Sequence, residues 1–144
     1  MKTISYFLFF LFLLIGATSC KKEKDSSITT KTKTELLTSK TWVYDEYFTN
    51  YNQASTLVAY KKGKANNSMD LSLNKVRYNA DGTYQETTEN GTTLSGTWKF
   101  LNGETQTEVT NVMGTFTSNV ISLTETSFIW YDQSVGRYGK MIPQ

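Results

Sequence analysis

From Leu71 to the C-terminus, turn-forming residues return about every 8 to 12 positions, and the stretches between them favour β-structure. Asn79-Ala80-Asp81-Gly82 is turn chemistry, with Gly82 placed to take a positive φ. Asn90-Gly91 and Asn102-Gly103 are hairpin signals. Between them, residues 92–101 place Leu94, Gly96, Trp98 and Phe100 on one face and Ser95, Thr97 and Lys99 on the other, the period of two of a half-buried strand. Lys75-Val76-Arg77-Tyr78 alternates in the same way. Further strands are predicted over 41–48, 56–60, 83–88, 105–113, 115–117, 120–123, 128–131 and 137–142, with a turn over 132–136. Residues 61–68, rich in Lys, Gly and Asn, read as an exposed loop. Residues 34–39 read as a short helical turn with Thr34 as N-cap. The sum is all-β, an antiparallel sandwich or an up-and-down barrel of about 8 strands. Sequential hairpins favour the barrel, which also removes the edges that a chain rich in Thr, Tyr and Val would offer for aggregation.

The N-terminus follows another logic. Lys2 precedes an apolar run from about Ile4 to Ile15, then Gly16, Ala17, Thr18, Ser19 and Cys20. The apolar run is shorter than the ~20 residues of a membrane-spanning helix and matches a secretory leader. Ala17-Thr18-Ser19-Cys20 resembles the lipobox of bacterial lipoproteins, with Ala17 and Ser19 where the usual pattern has Leu and Gly or Ala. The resemblance implies lipidation at Cys20 and cleavage before it. Residues 1–19 are then a signal peptide, and 20–34 a lipidated cysteine and a disordered tether. The localisation implied is the cell envelope, lipid-anchored at the outer membrane. Several acyl chains on one residue suffice for stable anchoring where a single chain does not. Cys20 is the sole cysteine, so lipidation removes it from disulfide and nucleophile chemistry.

Charge sorts the remaining function classes. Residues 21–34 carry five Lys against two acidic residues, whereas residues 35–144 carry nine Lys or Arg against eleven Asp or Glu. The positive charge belongs to the tether and the domain is faintly acidic, which excludes the basic face of a nucleic-acid binder. There is no His, so the commonest general base and metal ligand is missing, and no phosphate-binding Gly loop is present. Asp45 and Glu46 are adjacent, and on a regular strand they point to opposite faces. Glu86 with Glu46 or Glu108 is the one carboxylate pairing that a glycosidase-like site could use. No catalytic residue, metal ligand or cofactor is assigned, and no enzymatic activity is expected.

Leu36-Leu37-Thr38-Ser39-Lys40-Thr41-Trp42, Tyr78-Asn79-Ala80-Asp81-Gly82-Thr83-Tyr84 and Ser95-Gly96-Thr97-Trp98 together resemble the lipocalin-like domains of Bacteroidetes lipoproteins. The resemblance covers about Glu35 to Met141 and implies a barrel domain over 35–144 with a calyx for a small hydrophobic or amphipathic ligand. It further implies that Trp42 plugs one end of the barrel and that Arg137 packs over it. The aromatic residues Tyr78, Tyr84, Trp98, Phe100, Phe128 and Trp130 are then either core or calyx lining, with Trp98 and Trp130, each mid-strand, the leading ligand contacts. Two other readings stay open. One is an envelope interaction module with an unidentified protein partner, using the loop 61–69. The other is a glycan-binding module, which needs aromatic residues and carboxylates on an open face.

Overall fold

The computed structural model describes residues 30–144, and nine strands and one short helix account for most of them. The leader, Cys20 and most of the tether lie outside the described residues. The helix α1 spans Lys33–Thr38. Its N-cap is Thr32 rather than Thr34, because Glu35 stands three residues after Thr32 and closes a capping box: the Glu35 amide donates to Thr32 Oγ1 and the Thr32 amide donates to Glu35 Oε2. The ordered domain therefore begins before residue 34. Lys31 pairs with Glu125 at 2.9 Å, and Lys33 Nζ donates to the Glu104 carbonyl at 2.8 Å.

The strands are β1 (Thr41–Thr49), β2 (Leu57–Lys61), β3 (Lys75–Tyr78), β4 (Thr83–Thr87), β5 (Thr93–Leu101), β6 (Gln106–Asn111), β7 (Gly114–Leu123), β8 (Phe128–Asp132) and β9 (Arg137–Pro143). All pairings are antiparallel, and β3 to β9 follow one another in chain order. The start of β1 pairs with β3 and its second half with β2 along the same edge. Its other edge pairs with β9 from Trp42↔Pro143 to Phe48↔Tyr138. β1 and β3 to β9 thus close a barrel of eight strands, with β2 filling the edge that β3 leaves free.

The alternation read in residues 92–101 holds: Trp98 is buried, Leu94, Gly96 and Phe100 are half-buried, and Ser95, Thr97 and Lys99 are exposed. Two details differ from the sequence reading. Residues 115–117 and 120–123 belong to one strand, β7, interrupted by a bulge between Val120 and Ser122 that turns Ile121 outward. A second bulge in β1, between Tyr44 and Glu46, puts Asp45 and Glu46 on the same outer side. There Asp45 meets Lys140 at 2.6 Å and Glu46 meets Lys61 at 2.8 Å.

Candidate functional site

Antiparallel pairing assigns each end of the barrel a set of strand termini. The starts of β1 and β8 and the ends of β5 and β9 meet at the end covered by α1, the floor. The other end, the mouth, carries the β6–β7 turn, the β8–β9 turn and the loop before β3. At the floor Trp42 is fully buried, its Nε1 donating to the Leu37 carbonyl of α1 at 2.9 Å. Phe128 lies edge-on against it at 5.9 Å between ring centroids, and Tyr78 lies against Phe128 at 6.0 Å. Trp98 packs on Tyr78 at 5.4 Å, and its Nε1 donates to the Asn79 carbonyl at 2.8 Å, tying β5 to the β3–β4 turn. Phe100 packs on Trp98 in turn. These contacts make a solid aromatic floor.

Above it lies a cavity of about 340 Å³. Of the six aromatic residues singled out from sequence, Tyr78, Tyr84 and Trp130 line it, whereas Trp98, Phe100 and Phe128 do not. Those three sit in the floor because they lie in the half of their strands nearer α1. Trp130 reaches the cavity by lying across Gly139, its register partner on β9; a Cβ there would come within 2.4 Å of the indole. Arg137 does not pack over Trp42. It opens β9 at the mouth, beside Asp132, while Trp42 pairs with Pro143 at the other end of the same strand.

The remaining lining is apolar at mid-height, with Tyr44, Val76, Leu94, Val109 and Met141, and mixed near the mouth. Among the polar residues in it that were not singled out from sequence as ligand contacts, Glu86 and Asn74 stand out. Glu86 shares the inward face of β4 with Tyr84, whose hydroxyl donates to Glu86 Oε2 at 2.6 Å. Asn74 is only 4% exposed, and its Oδ1 has no hydrogen-bond partner among the described residues. The signal for Glu86 was present in the i, i+2 spacing from Tyr84. Asn74 precedes its strand and gave none. Glu46 and Glu108 both face outward in ion pairs with Lys61 and Lys99, so neither can join Glu86 in a carboxylate pair.

Burial holds the hydroxyls of Tyr44, Tyr78 and Tyr84 well above their ordinary value of 10.0, and the charge of Glu86 acts in the same direction on each. A hydroxyl that stays protonated in the fold but ionises near 10.0 when unfolded contributes stability below that pH and loses it as the pH rises further. The barrel is therefore expected to unfold cooperatively above pH 10.0. The tyrosinate absorbance of these residues should rise together with the loss of the β-sheet circular dichroism signal. Tyrosines that ionised fully in a folded barrel would contradict this placement.

No protein-family model matches the chain, and no curated protein matches it in sequence. Solved structures do. A lipocalin-like protein from Bacteroides uniformis ATCC 8492 superposes with a TM-score of 0.53 at 12% identity, covering 76% of this chain and 99% of that one. The fold is a lipocalin-like barrel. A DUF4847 family protein from Bacteroides vulgatus ATCC 8482 gives a TM-score of 0.51 at 12% identity, covering 75% of this chain and 94% of its own. Such low identity speaks for the architecture alone. In this lipocalin-like barrel the α1 end is closed by Trp42, and the cavity lies toward the opposite end.

Proposed function

We propose that the protein is a lipid-anchored envelope barrel that binds a small amphipathic molecule in its cavity, without turning it over. The observation that carries the binding reading is the cavity itself. Its volume of about 340 Å³ falls within the ~300–1,000 Å³ of small-molecule sites, and its wall is apolar with a few inward polar groups. A small barrel packed only for stability would fill this space with side chains. The anchoring reading rests on Ala17-Thr18-Ser19-Cys20 and on the lysine-rich tether, a spacer between a membrane and the domain.

One preparation tests both. The intact mass of protein purified from its own envelope should show removal of residues 1–19 and addition of acyl chains at Cys20; an unmodified Cys20 would contradict the anchor. The same protein should bind the uncharged fluorescent probe N-phenyl-naphthylamine. Leu94→Trp, which fills the cavity from β5, should weaken that binding by about tenfold or more while leaving the circular dichroism spectrum unchanged. Binding that persisted undiminished in a folded L94W barrel would place the probe elsewhere and remove the calyx reading.

A further inference from the structure

Glu86 presents a carboxylate at mid-depth, and among the described residues no lysine or arginine nitrogen lies within 4.0 Å of it. Among the described residues its side chain takes one hydrogen bond, from the Tyr84 hydroxyl. Tyr44, Tyr47 and Tyr78 also line the cavity within electrostatic reach of that carboxylate. Asn74 Oδ1 is a second acceptor, without a donor among the described residues, in a residue that is 4% exposed. Val76 is the register partner of Glu86, and Asn74 stands two residues before Val76 and lines the same cavity. The two acceptors therefore stand on neighbouring chain segments around the same cavity.

The charges agree with the acceptors. The cavity lining contains Glu86, Glu89 and Asp132 against the single cation Arg137. Arg137 opens β9 at the mouth and is exposed, its charge reaching Tyr44 and Tyr47, and Asp132 Oδ1 is already held by the amide and hydroxyl of Ser134. An anionic head group carried to the depth of Glu86 would meet like charge. A buried acceptor left without a donor is costly, and a ligand that supplies the donor recovers that cost.

We propose that the cavity selects an amphiphile bearing a protonated amine, its ammonium group held between Glu86 and Asn74 and its apolar remainder laid along Val109, Leu94 and Trp130. This rests on the calyx reading above and names its ligand class. The test uses three probes that share an eight-carbon chain, octylamine, octanol and octanoate, each titrated to displace N-phenyl-naphthylamine from the protein. Octylamine should displace it about tenfold more effectively than octanol, and octanoate least of all. In Glu86→Gln the octylamine advantage should vanish while octanol is unchanged. Asn74→Leu, which removes the second acceptor without opening a void, should weaken octylamine alone by a few-fold; this variant and the wild-type series decide the matter if Glu86→Gln does not fold. Octanoate equal to or better than octylamine overturns the proposal, as does an octylamine advantage that survives Glu86→Gln. Failure of all three to displace a probe that does bind also overturns it and leaves the calyx standing, whereas failure of the naphthylamine itself to bind removes the calyx.

Discussion

Replacing Trp42 with alanine is expected to remove about 3–5 kcal/mol of stability, the range for deleting a fully buried aromatic side chain. Trp42 has no exposed surface, packs edge-on against Phe128, and donates its indole N–H to the Leu37 carbonyl. Three losses coincide in the alanine variant. The void at the floor is not filled, since its neighbours Phe128, Leu37 and Met141 are themselves fully buried and held by other contacts. The Leu37 carbonyl loses its donor. α1 loses the group that pins it across the barrel end. A domain of this size has a total stability of about 5–15 kcal/mol, so the variant is expected to be partly unfolded at moderate temperature. Denaturant titration should show a lower midpoint with an unchanged slope. Trp42→Phe separates the components, because it keeps most of the packing and gives up the hydrogen bond, at about 1–3 kcal/mol. A Trp42→Ala loss below about 1 kcal/mol would mean that the floor does not depend on this residue.

The contrast between Trp42 and the other aromatic residues shows what the sequence could reveal. Period-two alternation places Leu94, Gly96, Trp98 and Phe100 on the inner face of β5, and the structure keeps all four there. Alternation gives the face of a strand and not the height along it. Trp98 and Trp130 look alike in sequence, both mid-strand with apolar neighbours. One belongs to the floor and the other to the cavity wall, because only closure of the barrel sets their depth. The expected contact of Arg137 with Trp42 fails for the same reason: Trp42 on β1 pairs with Pro143 at one end of β9, and Arg137 opens β9 at the other. Bulges are the second limit. Neither the outward turn of Ile121 nor the shared outer side of Asp45 and Glu46 can be read from composition, since each depends on one extra residue opposite a partner strand. The inward polar residues are the third. Glu86 breaks the rule that the inner face is apolar, and such a break becomes informative only once the neighbouring tyrosines and the unpartnered Asn74 are seen around the same cavity.

Gly96→Ala is expected to be the most disruptive single methyl addition in the barrel. Gly96 lies between Tyr84 on β4 and Asn111 on β6, on the inner face of β5. A Cβ there would stand 2.0 Å from the Thr110 carbonyl oxygen and 2.9 Å from its carbon. These are backbone atoms, so no rotamer change can relieve the contact; β6 must move away or the β5–β6 ladder must open. At Gly139 the obstruction is the Trp130 side chain, which can rotate at the cost of entering the cavity. The two alanine variants should therefore fail differently. Gly139→Ala should leave a folded barrel with an altered Trp130 fluorescence and weaker binding of N-phenyl-naphthylamine. Gly96→Ala should lose at least the ~1–3 kcal/mol typical of overpacking, and more because the clash is with main chain. Amide hydrogen exchange should locate the damage, with protection lost first across Trp98↔Val109 and Phe100↔Thr107 while the β1–β9 closure persists. Wild-type protection of the β5–β6 ladder in Gly96→Ala would show that the strands can separate without cost, and would refute the close approach assigned to this position.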